Sequence, residues 1–312
     1  MSLSALKKNR QAVLAKLQQA SEKQAQGSGG GHQQDERLWR PFFDKDREIG
    51  SAVVRFLPQK DTDGLPWAKV IKHAFKGPTG KWYIEPSPRT LNESCPVSIL
   101  NGKLWNSGVE SDKDVARGQK QKIEYTVNVL VIKDPGNPEN EGKVKLYRFG
   151  PMIYKIIEEM MFPKFDDQDP VNPFDPWDGA DFNIRIVGKQ LGKDLVPNYE
   201  KSTFAAPKAM GDDKFIEATF AETYDLGEFT AKDQFKSFEE LQRKLFEVLG
   251  PVVGSGIPVI DGEVAVAETA APSQRAAEPR KPAAEKPKED KQESSDDSDD
   301  DLDYLKDLVA NL

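Results

Sequence analysis

The chain has one cysteine, Cys95, among 312 residues, so no intrachain disulfide can form and a reducing compartment is expected. Only two histidines are present, and His32 sits in the glycine-rich stretch AQGSGGGHQQ. No run of 18 apolar residues occurs, so no transmembrane helix is expected. Glycine-rich phosphate loops, His-Glu zinc motifs and nucleophile elbows are all missing, which leaves enzyme chemistry poorly supplied. Acid pairs such as Asp166 and Asp167 lie in a Pro/Asp-rich loop and read as solvated charge.

The two ends carry opposite charge, and each has little or none of the other sign. No acid precedes Glu22, while Lys7, Lys8, Arg10 and Lys16 surround a face made by Leu3, Leu6, Val13 and Leu17. That pattern fits a mitochondrial transit peptide, a basic partner-binding arm over residues 1–24, or a solvated amphipathic helix. At the other end, residues 294–312 read SSDDSDDDLDYLKDLVANL, with seven Asp and one Lys. The net charge of -8 is concentrated there, so the rest of the chain is near neutral and any basic surface must be a local patch. Leu302, Leu305, Leu308 and Leu312 add a small apolar face at near-helical spacing, which a merely solubilising tail would not need.

Residues 25–36 read as a flexible linker. Residues 254–293, rich in Ala, Pro, Glu and Lys toward their end, read as a disordered linker. Between them the sequence is dense and reads mainly as short strands. SAVVRFLP is stopped by Pro58, and WAKVIKHAF and KWYIEP are shorter candidates. IEYTVNVLVIKDP, residues 123–135, is long and β-branched. GKVKLYRFG, residues 142–150, alternates strictly and pairs with it across a long turn-rich loop. DFNIRIVGKQL is a further strand. MIYKIIEEMM reads as a short helix, and KSFEELQRKLFEVLG as a helix with Ser237 as N-cap and Glu240 in a capping box. The expected fold is therefore mainly β with a few helices: a small five-stranded barrel of the OB type with an inserted subdomain.

The alternation in GKVKLYRFG puts Lys143, Lys145, Tyr147 and Phe149 on one strand face and Val144 and Leu146 on the other. Cations interleaved with aromatics, here flanked by Arg148, suit a single nucleic-acid strand, with phosphates on the cations and unpaired bases on the rings. An ordinary solvent-facing strand with a cross-strand tyrosine gives the same pattern. The combination recurs, however. Arg117, Lys120, Lys122 and Tyr125 lead into the longest strand. Lys81 and Tyr83 share a face, and Lys189, Lys193, Tyr199 and Lys201 follow later.

The stretches KDPGNPENEGKVKLYRFG, KWYIE with SCPV, PWDGADF and KDQFKSFEEL resemble, in this order and spacing, the T-even-type bacteriophage single-stranded DNA-binding protein family. The resemblance covers residues 49–252 and the character of both ends. It implies an OB-fold core (37–71 and 120–204, completed by 205–253 with the helix 237–249) and an inserted subdomain at 72–119. It also implies a basic arm, with Lys7, Lys8 and Arg10, for cooperative self-association along single-stranded DNA. The tail, 294–312, is expected to compete with DNA and recruit phage replication and recombination proteins such as a polymerase, a helicase loader, and a recombinase or mediator. No catalysis and no membrane are implied, and the location is the host cytoplasm. The family's insert holds zinc with one His and three Cys. Here His73 and Cys95 match, but Ser87 and Ser98 stand where two Cys would be, so zinc is expected to be lost unless Glu85 or Glu93 substitutes. Trp105 is a candidate replacement for a DNA-facing aromatic of that insert. A protein-binding scaffold or chaperone with an acidic tail is the reading from another class, and an imported organellar coating protein differs in location only.

Overall fold

The structure is a computed structural model that describes residues 35–60, 64–165, 167–192 and 194–259. The arm cations Lys7, Lys8 and Arg10, the tail leucines Leu302, Leu305, Leu308 and Leu312, and Lys193 lie outside these. The chain divides into two units, residues 1–38 and 39–312. Of the first, residues 35–38 are described, a turn in which the Asp35 carboxylate holds the Arg37 guanidinium at 2.7 Å.

The second unit is mainly β with several helices. Its strands are β1 (Ile49–Phe56), β2 (Ala68–Lys76), β3 (Trp82–Pro86), β4 (Lys122–Lys133), β5 (Val144–Phe149), β6 (Asp181–Leu191), β7 (Asp194–Asn198) and β8 (Thr203–Phe204). All the pairings among them are antiparallel, in the order β5-β4-β1-β6-β7, and among the described residues the ladders form an open path, not a closed ring. The long β4 serves two partners on one edge. Val129–Lys133 pairs with β1, and Lys122–Thr126 pairs with β2, which hands on to β3. A register shift interrupts the β1–β4 ladder between Val53 and Val54, opposite Val131–Lys133.

Inward residues of these strands form the main core: Val54, Phe56, Val127, Val129, Tyr147, Phe149, Phe182, Ile184 and Ile186 are all buried. Helix α1 of the insert (Pro96–Trp105) and α2 (Glu110–Gly118) follow β3, and α3 (Pro151–Met161) follows β5 with Pro151 in its first turn, where its missing N–H costs nothing. Ile153 and Ile157 of α3 cap the main core. Helix α4 (Asp213–Ala221) is capped by Asp212, and α5 (Phe238–Leu249) by the capping box expected from sequence, Ser237 Oγ accepting from Glu240 N and Glu240 Oε2 from Ser237 N.

One domain boundary needs correcting. Helix α5 does not complete the main core. Its face of Leu241, Leu245, Val248 and Leu249 packs with Phe75, Tyr83, Val97, Leu100 and Leu104 of the insert. An insert of this size buries too little apolar surface by itself, so a distant helix supplies the missing half. Gly77 is required at this junction, because a Cβ there would lie 2.2 Å from the Val248 carbonyl oxygen. Buried Glu85 is gripped by Lys236 and Lys244, and Asp112 accepts two 2.6 Å hydrogen bonds from Ser255. No described helix is long and apolar enough to cross a membrane.

Candidate nucleic-acid interface

The strand alternation is real, but both of its faces are covered: Val144 and Leu146 are buried as expected, and so are Tyr147 and Phe149. Tyr147 and Phe149 are 2% and 1% exposed and lie in the main core. Tyr147 meets Trp39 edge-on at 5.2 Å, and Phe149 stacks with Tyr125 at 5.9 Å. The opposite face, Val144 and Leu146, is covered as well, Val144 packing with Leu57 and Leu130. A strand buried on both faces does not reveal from its alternation which side is the interior. Tyr125 and Tyr199 are also in this core, and Tyr83 stacks on Phe75 at 5.1 Å inside the insert. None of these five aromatics, Tyr83, Tyr125, Tyr147, Phe149 and Tyr199, offers an open ring face to a base in this conformation.

The cations divide into groups. Arg148 and Lys72 converge on Glu124, at 2.9 and 2.8 Å, and the Phe229 ring lies 5.9 Å from the Arg148 guanidinium. That ion-paired cluster holds the sheet to the segment 226–230. Lys81 lies 3.8 Å from Glu247. Lys143, Lys189 and Lys201 are exposed, and Lys120, Lys122 and Lys145 are half-buried. Trp105 and Arg117 are brought together: Trp105 is exposed on α1 with the Arg117 guanidinium 5.5 Å from its ring, while Asp114 and Glu110 bind the same guanidinium.

A surface platform exists where sequence reasoning placed none. Tyr154 of α3 stacks on Tyr125, with centroids 4.1 Å apart and planes 6° from parallel, and Trp67 meets Tyr154 edge-on at 5.6 Å. Both are half-buried, so Phe149, Tyr125, Tyr154 and Trp67 form an aromatic row running from the core to the surface. The β2–β4–β5 register sets Lys69, Tyr125 and Phe149 side by side on one face, with Lys69 exposed, and exposed Lys155 adjoins Tyr154. Burial raises the pKa of both tyrosine hydroxyls, with Glu158 adding to the effect, so both stay neutral near pH 7. Neutral rings with cations beside them have the character of a stacking surface. The signal was present in Trp67-Ala-Lys69, whose alternation matches that of the strands considered.

Against this fold, residues 48–249 match the family model described as gp32 DNA binding protein like. The chain belongs to the gp32-like DNA-binding family. Its relatives include the single-stranded DNA-binding protein of Enterobacteria phage T4, 38% identical over 74% of this chain and 76% of that one, and its counterpart in phage T2, 38% identical over 78% and 80%. A single-stranded DNA-binding protein of Escherichia phage SV14 is 39% identical over 30% of this chain.

Within this gp32-like chain the four positions of the implied zinc site do come together. His73 is buried, and its Nδ1 donates to the Gln119 carbonyl at 3.0 Å. Burial raises the Cys95 thiol, but hydrogen bonds to the His73 and Ser87 side chains and the Ser98 backbone outweigh it, bringing the thiol to about 7. One imidazole, one thiol and two hydroxyls do not fit a structural zinc, and no group of three His, Cys, Asp or Glu is arranged for a metal among the described residues. Glu85 is held by its two lysines, and Glu93 lies 3.6 Å from Lys232.

Proposed function

We propose that this chain coats single-stranded DNA cooperatively and with little sequence preference during replication, recombination and repair in a phage-infected cell, without catalysis. The observation that carries the reading is the family match, which spans nearly the whole described body and places the chain beside phage single-stranded DNA-binding proteins. The fold is then an OB-type barrel opened by its insert. The DNA path follows the platform of Trp67, Tyr154, Lys69 and Lys155 and continues past Trp105 and Arg117. Rings take unpaired bases at ~1–3 kcal/mol each, and lysines take phosphates. The basic arm links neighbouring copies. The tail, a tethered polyanion at roughly millimolar effective concentration, occupies the cationic path when DNA is absent and exposes its leucines to replication partners when displaced.

The test is a salt titration of binding to single- and double-stranded DNA of equal length. Strong preference for the single strand is expected, with a log–log salt slope of about -0.7 per phosphate contacted. Equal affinity for both forms, or affinity independent of salt, overturns the reading.

A further inference from the structure

One groove among the described residues is unsuited to DNA. It has a volume of about 780 Å³ and lies between α4 and the segments around Pro58, Pro66 and Trp177. Its apolar lining is Phe174, Ile216, Phe220 and three prolines, Pro58, Pro66 and Pro176. On α4, Asp213, Ile216, Glu217 and Phe220 fall on one helical face, so acids and apolar groups alternate along the same wall. At the mouth, the indole of exposed Trp177 donates to Asp213 Oδ1 at 3.0 Å. Exposed Asp178 and the capping residue Asp212 add negative charge, against which Lys214 is the one cation of α4. The Gln59 side-chain oxygen, also in the lining, is buried without a hydrogen-bond partner. An occupant must therefore bring apolar side chains for the floor, cations for the rim and a donor for Gln59.

Phosphates are repelled by that rim, and so is the acidic tail. Residues 1–20 have the required chemistry: Leu3, Leu6, Val13 and Leu17 with Lys7, Lys8, Arg10 and Lys16, and no acid. We infer that this groove is the receptor for the N-terminal arm of a second copy of the chain, bound as an amphipathic helix with its leucines on Phe174, Ile216 and Phe220 and its cations on Asp213 and Glu217. The inference rests on the cooperative-arm reading above and names the surface that reading lacks. Arms seated in their own grooves would add no contact between copies, so cooperative coating requires the exchange. The groove also begins where the aromatic row ends, since Phe174 on its floor lies 5.6 Å from Trp67. Copies placed in series along DNA would bring one chain's arm to the next chain's groove.

The experiment uses the full chain and reads cooperativity as the ratio of affinity for long poly(dT) to affinity for an oligonucleotide of one site. Asp213→Lys with Glu217→Lys should lower the ratio about tenfold or more, a loss of ~1.4 kcal/mol or more per contact. Short-oligonucleotide binding should persist, which also shows that the fold is intact. The milder Asp213→Asn with Glu217→Gln should lower the ratio less, and it decides the matter if the lysine pair fails to fold. Lys7→Glu with Lys8→Glu should lower the ratio in a wild-type groove and restore it in the lysine-substituted groove. A photo-crosslinker at Leu6 in light chains, mixed with heavy-isotope chains on poly(dT), should label residues 172–177 or 213–220 of heavy chains. If deleting residues 1–20 abolishes cooperativity but the groove variants retain it, this groove is not the receptor, although the arm reading stands. Cooperativity that survives the deletion removes the arm reading itself. Crosslinks found only within single chains would make the groove a dock for the chain's own arm and overturn the exchange.

Discussion

The tyrosines separate two roles that look identical in sequence. Tyr147 and Tyr154 are both flanked by lysine or arginine, yet one is a core residue and the other a half-exposed platform. Tyr154→Ala should weaken single-strand binding with little change in salt slope, and Lys69→Ala should reduce the slope by about 0.7. Tyr147→Ala should instead cost roughly 3–5 kcal/mol of stability, as removal of a buried aromatic does. Fluorescence titration across salt and urea unfolding check these; a slope change with Tyr154→Ala would place it at a phosphate. Cys95 offers a second residue-scale test. Because the His73 and Ser87 side chains and the Ser98 backbone already meet the thiol, the double substitution Ser87→Cys and Ser98→Cys should complete a four-ligand site. Stoichiometric zinc by metal analysis and a raised Tm that chelator removes are expected. Absence of zinc would mean that the backbone no longer holds the four positions within bonding reach.

Among the elements, strands and capped helices were legible and the insert's helices were not. β4, β5, β6 and α5 fall within a few residues of their expected spans, because β-branched runs, strict alternation and a capping box are local signals. α2 carries few apolar residues, and the Asn-Gly and Ser-Gly pairs inside α1 and between the two helices read as turns. Their buried Val97, Leu100, Leu104 and Ala116 become a core only when β2, β3 and α5 close over them. Ser237→Ala should remove the capping hydrogen bond at the start of α5 and cost about 1 kcal/mol. Since α5 completes the insert, hydrogen exchange should quicken around Tyr83 and Leu100 as well as in α5. Loss of protection confined to α5 would mean that the insert holds together without it.

For the whole molecule, charge is the organising quantity. The main body is nearly neutral and pairs many of its cations with acids, whereas the last nineteen residues carry most of the net charge. Removing residues 294–312 should therefore tighten single-strand binding, most of all at low salt, where the Debye length reaches about 30 Å at 0.01 M. The truncated chain should also lower the melting temperature of duplex DNA, because tighter binding to one form shifts the equilibrium by mass action. Unchanged affinity at low salt would show that the tail does not compete for the DNA path. Buried Arg55 tests the body's own integrity. It is 0% exposed and bound by Asp181 and by the Asp175 and Lys208 carbonyls, so Arg55→Ala should cost roughly 3–5 kcal/mol, read as a lowered urea midpoint.

The family resemblance, the predominance of strands, the capped α5 and the charge at the two ends were all present in the linear sequence. They depend on residue identity, local spacing and composition, which need no knowledge of neighbours. That β5 is covered on both faces, which tyrosine is open, and that α5 belongs to the insert were decided by tertiary packing alone. Each depends on what covers a surface, and the covering groups here come from 81 to 171 residues away: Phe229 beside Arg148, Val248 against Gly77, Lys244 on Glu85. A two-residue alternation states that a strand has two faces; only the partners that fold over it determine which of them meets water.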